Sequence, residues 1–326
     1  MKNINNGLVG LILYGLSQCG LAQTATSDYP TKPIKLVVGF APAGAADYVA
    51  RAMSDQLGKA LGQTVIVENK AGAGSSIAAD FVAKSPADGY TLLIASPSSM
   101  SVNPALNAKL GYTARDFAPI SKITASPLVI AASPKSNITS VKELIAAAKR
   151  APGTLNYSSS GNGSAPHLGG ALFAQVAGID MQHIPFRGGA PAIASVVAGD
   201  TQLAFGTPPS VLPMVQAGRL RGLAVSTRER TALFPNLPGM AEAGLPDYAI
   251  EFWYGLFVPA NTPPAIIKKL YEATRIAMNQ PSVKAALARE GTDVALSASP
   301  EQFANFLQSD AKFWVKLVKD ADVKID

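Results

Sequence analysis

The feature that most constrains the fold is a regular alternation between short apolar runs and longer amphipathic runs. Runs typical of strands are "IKLVVGF", "TVIVEN", "TLLIAS", "PLVIAAS", "TLNYSS", "TQLAFG", "LRGLAVS" and "YGLFVPA". Helical periodicity lies between them in "ADYVARAMSDQLGKAL", "SVKELIAAAKR", "HLGGALFAQVAG" and "APAIASVVAG". Because such alternation is typical of strands joined by crossover helices, the sequence predicts an α/β fold with mainly parallel sheets flanked by helices.

The C-terminal third changes to consecutive helical runs, "PAIIKKLYEATRIAMNQPSVKAALAREG" and "PEQFANFLQSDAKFWVKLVKDA". Pro263 and Pro264 suit the start of the first run, Pro281 interrupts it, and Pro300 lies near the start of the second. A chain of 326 residues that is 48% hydrophobic is long enough for more than one core. We therefore expect two lobes.

The N-terminus has the pattern of an export signal. Lys2 precedes the apolar run "GLVGLILYGL", and Gly20-Leu21-Ala22 forms a small-residue cleavage site, so residues 1–22 are predicted to be a signal peptide. The single cysteine, Cys19, follows Gln18, where a lipoprotein signal has a small residue, so lipidation is not expected. The sequence predicts a periplasmic protein whose folded part contains no thiol.

Charge and motifs exclude several classes of function. The net charge is +6, but Lys and Arg are scattered and not interleaved with aromatic residues, so a nucleic-acid partner is not expected. The two histidines, His167 and His183, have no clustered carboxylate, so no metal site is predicted. "GAGSSI" and "GNGSAP" lack the third glycine of a dinucleotide fingerprint, and no nucleophile elbow occurs. We expect no cofactor and no enzymatic activity.

Two loops stand out, "GFAPAGAAD" and "YSSSGNGSAPHL", because each lies between a strand-like run and a helix. In open α/β sheets, ligands bind at the carboxyl ends of strands, and helix N-termini present unpaired N–H groups to anions. Each loop could therefore hold one carboxylate. The alternative is purely conformational, since Gly permits positive φ and Ser caps helices.

Five blocks carry a resemblance to a known family. They are "YPTKPIKLVVGFAPAGAADYVAR", "VIVENKAGAGSSIAADFVAKSPADGYTLL", "NYSSSGNGSAPHLGGALF", "IPFRGGAPAIASVVAGDTQLAF" and "AGRLRGLAVSTRERTALFPNLPGMAEAGLPDY". Together they resemble the Bug (TctC-like) family of periplasmic solute-binding proteins, the receptors of tripartite tricarboxylate transporters. The resemblance implies a two-lobed, type II-like periplasmic-binding-protein fold whose cleft closes over a small carboxylate ligand. It further implies delivery to membrane permease subunits.

The resemblance also implies which residues line the cleft. They are Phe40, Ala43, Gly44, Ala45 and Asp47 of the first loop, Ser160, Gly161, Gly163, Ser164 and His167 of the second loop, and Gly74, Ser75, Ser96 and Thr207 as the remaining walls. Asp47 is expected either to cap a helix or to accept a hydrogen bond from the ligand.

Three departures from the family pattern leave the ligand open. Ala41-Pro42-Ala43-Gly44 replaces a Pro-Pro-Gly-Gly-like loop, and Ala171 and Ser195 stand where acidic residues are common. An organic acid, an aromatic acid and an acidic amino acid all remain possible ligands.

The lobes are predicted as residues 28–124 plus 252–326, with a last helix able to pack on the other lobe, and residues 125–251. The crossings are expected near Ile123 to Pro127 and near Ile250 to Tyr254. Two other functions remain open. One is an exported hydrolase that uses Ser160 or Ser164 with His167, and the other is a sensor that signals through a membrane partner.

Overall fold

The computed structural model describes residues 28–107 and 109–320, so the predicted signal peptide and Cys19 lie outside the described residues. The strands are β1 (Ile34–Val38), β2 (Val65–Asn69), β3 (Thr91–Ala95), β4 (Phe117–Pro127), β5 (Val129–Ala132), β6 (Asn156–Ser159), β7 (Gln182–Pro185), β8 (Leu203–Gly206), β9 (Arg221–Val225), β10 (Glu251–Pro259) and β11 (Asp293–Val294). The helices are α1 (Ala45–Leu61), α2 (Ser76–Ala83), α3 (Asn103–Leu106), α4 (Val141–Arg150), α5 (Ala165–Ala177), α6 (Gly189–Ala198), α7 (Pro208–Gln216), α8 (Met240–Ala243), α9 (Pro264–Met278), α10 (Pro281–Arg289) and α11 (Pro300–Asp320).

The first sheet has six strands in the order β11-β4-β10-β3-β1-β2. Strand β1 pairs in parallel with β2 and β3, whereas β10 runs antiparallel to β3 and β4. The two faces of β1 belong to different cores, because Leu36 joins the core that contains Met53 of α1, and Val37 joins the core that contains Val82 of α2. A strand covered on both faces is mainly apolar, and in the run "IKLVV" every residue except Lys35 is buried.

The second sheet has five strands in the order β7-β6-β8-β5-β9. Strand β6 is parallel to β7 and β8, and β5 is antiparallel to β8 and β9. Phe173 of α5 packs on Phe205 on one face, while Ile193 of α6 and Val211 of α7 pack against Ala204 on the other. The predicted α/β architecture of two sheets flanked by helices is confirmed. The prediction that the sheets are mainly parallel is wrong, because β10 in the first sheet and β5 in the second run antiparallel to both of their neighbours.

The chain crosses between the sheets twice within the described residues, at Leu128 between β4 and β5 and at Ile250 before β10. Ser226, which is fully buried, ties these crossings together. Its hydroxyl accepts a hydrogen bond from the Leu128 N–H at 2.7 Å and donates to the Ile250 carbonyl at 2.6 Å. Helix α11 lies against β4 of the first sheet and also contacts α5 of the second. The lobe boundaries predicted above stay a prediction, since a boundary is defined by relative motion.

Candidate anion-binding cleft

A cleft between the two sheets contains two chambers. The first chamber lies among the starts of α1, α5, α6 and α7. The second chamber lies between the turn that precedes α2 and the loop that precedes α5. Residues that line both chambers join them: Phe40, Ala41, Ser160, Arg187 and Gly188.

Four helices point their N-termini at the first chamber. They start at Ala45, Ala165, Gly189 and Pro208. Their N-cap residues are Gly44, Ser164, Gly188 and Thr207, and none of the four caps its helix with a side-chain hydrogen bond. The first N–H groups of α1, α5 and α6 therefore stay available to a ligand, whereas Pro208 and Pro209 leave α7 to contribute mainly its dipole. Each N-terminus carries about half a positive charge, so the chamber favours anions.

Buried hydroxyls add polar groups that have no protein partner. Ser158 and Ser164 line the first chamber, are 2% and 1% exposed, and their Oγ atoms make no hydrogen bond within the described residues. Ser75 and Asn103 line the second chamber, and the Ser75 Oγ and Asn103 Oδ1 atoms are also buried without partners among the described residues. Buried polar atoms are almost always hydrogen-bonded, so these atoms mark places that a polar ligand or water fills.

The two loops predicted from the sequence have the same local structure. In the first, the Gly44 N–H donates to the Ala41 carbonyl, and in the second, the Ser164 N–H donates to the Gly161 carbonyl. The residue before each N-cap has positive φ, 65° at Ala43 and 70° at Gly163. The sheets thus present matching turns to the cleft from opposite sides.

A side chain in the first turn of each helix holds this turn. Asp47 accepts a hydrogen bond from the Ala43 N–H at 3.0 Å, and His167 Nδ1 accepts one from the Gly163 N–H at 3.0 Å. Asp47 also accepts from Arg51 and Asn69, each at 2.9 Å. Burial alone would raise the pKa of Asp47, but the hydrogen bonds from Arg51, Ala43 and Asn69 outweigh burial and lower it. Asp47 is thus a charged, fully paired support for the first loop.

His167 stacks on His183, with ring centroids 3.7 Å apart and planes inclined by 5°. His183 Nε2 lies 2.6 Å from the Ser159 Oγ, and the Gly161 N–H donates to that same Oγ at 3.1 Å. Burial lowers the pKa of His167 to about 3, with a smaller contribution from His183. Burial likewise lowers the pKa of His183 to about 4. Both rings are therefore neutral at physiological pH.

These two pKa values predict acid sensitivity of the ligand-free fold. Each folded pKa lies below the ordinary value of 6.5, so folding favours the neutral rings. Their contribution to the free energy of unfolding is complete above about pH 6.5 and is lost as the pH falls towards 4 for His183 and towards 3 for His167. We expect the free energy of unfolding, measured by urea titration, to fall across this range. The fall should be smaller in a double variant, His167→Asn with His183→Gln. An equal fall in the free energy of unfolding of the wild type and the double variant would contradict the assignment of the acid sensitivity to these two histidines.

The charged side chains that line the two chambers, within the part of the chain that the structure describes, are positive only. Arg187 is exposed, lines both chambers, and makes no ion pair or side-chain hydrogen bond within the described residues. No Asp or Glu is among the described residues that line either chamber. An anionic ligand would meet a cation and helix N-termini, whereas an ammonium group would find no carboxylate.

The structure brings most of the predicted site residues together. The first chamber is lined by Phe40, Gly44, Ala45, Ser160, Ser164 and Thr207, and the second by Phe40, Gly74, Ser75, Ser160 and Gly161. The remaining five, Ala43, Asp47, Ser96, Gly163 and His167, line neither chamber. Of these, Ala43, Asp47, Gly163 and His167 act within the turns, and Ser96 is buried directly after β3.

Sequence analysis missed Ser158, Arg187 and the start of α6 at Gly188 and Gly189. A signal for Arg187 and for the start of α6 was available, because "RGG" lies between the strand-like "MQHIPF" and the helical run "APAIASVVAG", as the two recognised loops lie between a strand and a helix. Ser158 gave no comparable signal, since it lies within β6 and not in a loop between a strand and a helix.

The geometry does not support the hydrolase hypothesis. No hydrogen bond joins His167 to Ser160 or Ser164, all three of which the structure describes, and His167 Nδ1 is already used by the Gly163 N–H. A serine nucleophile requires a base within hydrogen-bond reach, so neither serine is activated. The part of the chain that the structure describes also contains no cluster of His, Cys, Asp and Glu that could hold a metal ion.

Comparisons with known proteins cover most of the chain. Residues 49–323 match the family described as "Tripartite tricarboxylate transporter family receptor". Protein BugT of Bordetella pertussis is 34% identical over 321 residues, which cover 98% of each chain. The structure of R. palustris Rpa4515 with adipate is 31% identical, covers 92% of this chain and 100% of its own, and has a TM-score of 0.87. MatC (Rpa3494) from Rhodopseudomonas palustris with bound malate is 29% identical, covers 89% and 100%, and has a TM-score of 0.82.

Proposed function

Because the chain belongs to the tripartite tricarboxylate transporter receptor family, a family of solute-binding proteins, we propose that it captures a small dicarboxylate without an amino group between its sheets. One observation carries this proposal: four helix N-termini and Arg187 surround connected chambers that no described acidic side chain lines. The match to the family model and the identity to BugT confirm the family predicted from five sequence blocks, and the chemistry of the ligand is the new step.

One carboxylate is placed in the first chamber. There it receives hydrogen bonds from the first N–H groups of α1 and α5 and from the buried hydroxyls of Ser158 and Ser164. Such a ligand would satisfy the two hydroxyls that lack partners among the described residues. Phe252 and Tyr254 add an apolar wall that suits a methylene chain.

The second carboxylate is placed beside Arg187, which reaches both chambers. A guanidinium can bind a carboxylate through two parallel hydrogen bonds. Adipate and malate, each bound to one of the similar proteins, are dicarboxylates that differ in chain length and share the absence of an amine. An acidic amino acid is disfavoured here, because its ammonium group would be desolvated without a counter-charge.

Capture requires the cleft to open and close. We place the hinge at Leu128 and Ile250, because these two crossings join the sheets and Ser226 holds them together. The closed form would then deliver its ligand to a membrane permease from the periplasmic side, consistent with the N-terminal export pattern. Within residues 28–107 and 109–320, no helix has the length and apolar composition of a membrane span.

Ligand class is tested by thermal unfolding of protein that has been unfolded, dialysed and refolded. The panel contains malate, adipate, aspartate and glutamate. A ligand at a hundredfold excess over its dissociation constant adds about 2.7 kcal/mol to the stability. We expect stabilisation by at least one of the first two and none by the amino acids. Stabilisation by aspartate alone would contradict the proposed class.

Delivery is tested separately by uptake of the radiolabelled ligand in cells that carry or lack the gene. We expect uptake to require the gene. Unchanged uptake in cells that lack it, with binding intact in the purified protein, would favour a sensor.

Arg187 gives a charge-specific prediction. We expect Arg187→Gln to lower dicarboxylate affinity about 10- to 100-fold, because a charge-assisted hydrogen bond contributes roughly 1.5–3 kcal/mol. Arg187→Lys should retain more of the affinity, since the charge remains. Arg115→Gln is the matched control, because Arg115 is also exposed and lines neither chamber. Calorimetric titration of the three variants checks this, and equal affinities in the two Gln variants would remove Arg187 from the site.

A further inference from the structure

The stacked histidines are connected to the turn of the second loop at two residues, directly at Gly163 and through Ser159 at Gly161. His167 Nδ1 accepts the hydrogen bond of the Gly163 N–H at 3.0 Å. His183 reaches the other end through Ser159, whose Oγ lies 2.6 Å from His183 Nε2 and 3.1 Å from the Gly161 nitrogen. The two imidazoles, stacked 3.7 Å apart, therefore fix the turn from Gly161 to Ser164 as one unit.

The equivalent turn of the first sheet is held by a carboxylate and not by an imidazole. Its acceptor, Asp47, is a carboxylate whose charge is balanced by Arg51 at 2.9 Å. Within the described residues, no Lys or Arg side chain forms a hydrogen bond with His167 or His183. Among the described residues, the titratable side chain whose ring packs against the pair is Tyr157, with its ring centroid 5.1 Å from that of His183. The two histidine rings otherwise face each other.

A neutral acceptor suits this position for an electrostatic reason. A carboxylate at position 167 would have no cation beside it and would lie next to the N-terminus of α5, where the proposed ligand carboxylate binds. It would compete with the ligand for the same positive end of the helix. A protonated imidazole would fail differently, because an Nδ1–H could no longer accept from the Gly163 N–H.

We propose that the stacked His167–His183 pair is a neutral clamp that positions the Gly161–Ser164 turn for ligand binding. His167 and His183 are positioning residues and do not line either chamber. The effect on ligand affinity rests on the proposed function, whereas the effect on the turn does not.

The first test needs no ligand. Amide exchange at Gly163 is measured by NMR at pH 7 in the wild-type protein, His167→Asn and His167→Leu. Asn places an oxygen near the Nδ1 position, and Leu removes the acceptor. We expect exchange in the Asn variant to stay near the wild-type rate and in the Leu variant to be about tenfold faster or more, as loss of one buried hydrogen bond implies. Equal protection in a folded Leu variant would overturn the clamp.

The second test measures affinity for malate and adipate. Relative to wild type, we expect His167→Asn to bind within about threefold and His167→Leu about tenfold more weakly, the cost of one lost hydrogen bond. His167→Asp should bind more weakly than His167→Asn, because the two differ only in charge. Equal binding by the Asn and Asp variants would overturn the need for neutrality. If the wild type binds neither acid, the proposed ligand class fails, and Gly163 exchange alone decides the clamp.

Discussion

Replacing Ser160 by aspartate should abolish tight dicarboxylate binding. Replacing it by asparagine, which is nearly isosteric with aspartate, should not. Ser160 is half-buried and lines both chambers, so a carboxylate there would lie between the two ligand carboxylates. Like charges placed together at a binding site cost several kcal/mol, which corresponds to about 100-fold or more in affinity. Asparagine has almost the same volume as aspartate and no charge, so we expect its affinity within about tenfold of wild type.

Titration calorimetry at low and moderate salt distinguishes charge from shape. If charge causes the loss, the difference between the Asp and Asn variants should narrow as ionic strength rises, because screening weakens partly exposed interactions. Equal losses in the two variants would mean that volume, and not the positive field of the helix N-termini, decides binding at this position.

Replacing Gly163 by alanine should weaken binding by obstructing closure. A Cβ atom at position 163 would lie 2.7 Å from the Asn103 Oδ1, which belongs to the opposite side of the cleft. Asn103 cannot readily move, because its Nδ2 donates to the Gly74 carbonyl at 2.9 Å and to the Ser76 Oγ at 2.8 Å. Overpacking of this kind costs about 1–3 kcal/mol, so we expect roughly 10- to 100-fold weaker binding.

Gly178→Ala is the matched control for backbone strain. Gly178 follows the end of α5 with φ of 59°, close to the 70° of Gly163, but a Cβ atom added at position 178 would meet no other atom within 4 Å. Both variants should lose about 1 kcal/mol of stability from the left-handed conformation. Only Gly163→Ala should lose affinity for the ligand. Small-angle scattering with saturating ligand should show a more open cleft in Gly163→Ala than in Gly178→Ala. Equal affinities in the two variants would mean that the Asn103 contact does not limit closure.

The loops could be predicted from the sequence because their chemistry is local. Gly, Pro, Ala and Ser between a strand and a helix leave backbone N–H groups exposed, and both "APAG" and "GNGS" form such turns. The helix start at Pro264 and the break at Pro281 were equally predictable, since a helix begins at each of these residues in the structure.

Other elements depend on tertiary contacts that no local pattern reports. The run from Ala73 to Ser75 has positive φ at all three residues, although two are not glycine, and the turn is held by the distant Asn103 amide. Strand β4 was missed because its buried Ser121, Thr124 and Ser126 break the apolar pattern typical of a strand covered on both faces. These polar residues lie on the long strand that pairs with β10 at the crossing between the sheets.

The clearest test of the central claim compares each dicarboxylate with its own amides by isothermal titration of the ligand-stripped protein. Malate and adipate differ from their monoamides and diamides mainly in charge, so the comparison isolates recognition of two carboxylates by helix N-termini and Arg187. We expect binding of at least one diacid, about tenfold or greater loss in its monoamide, and no measurable binding of its diamide. Equal affinity for a diacid and its diamide would contradict the claim that this cleft recognises its ligand as a dianion.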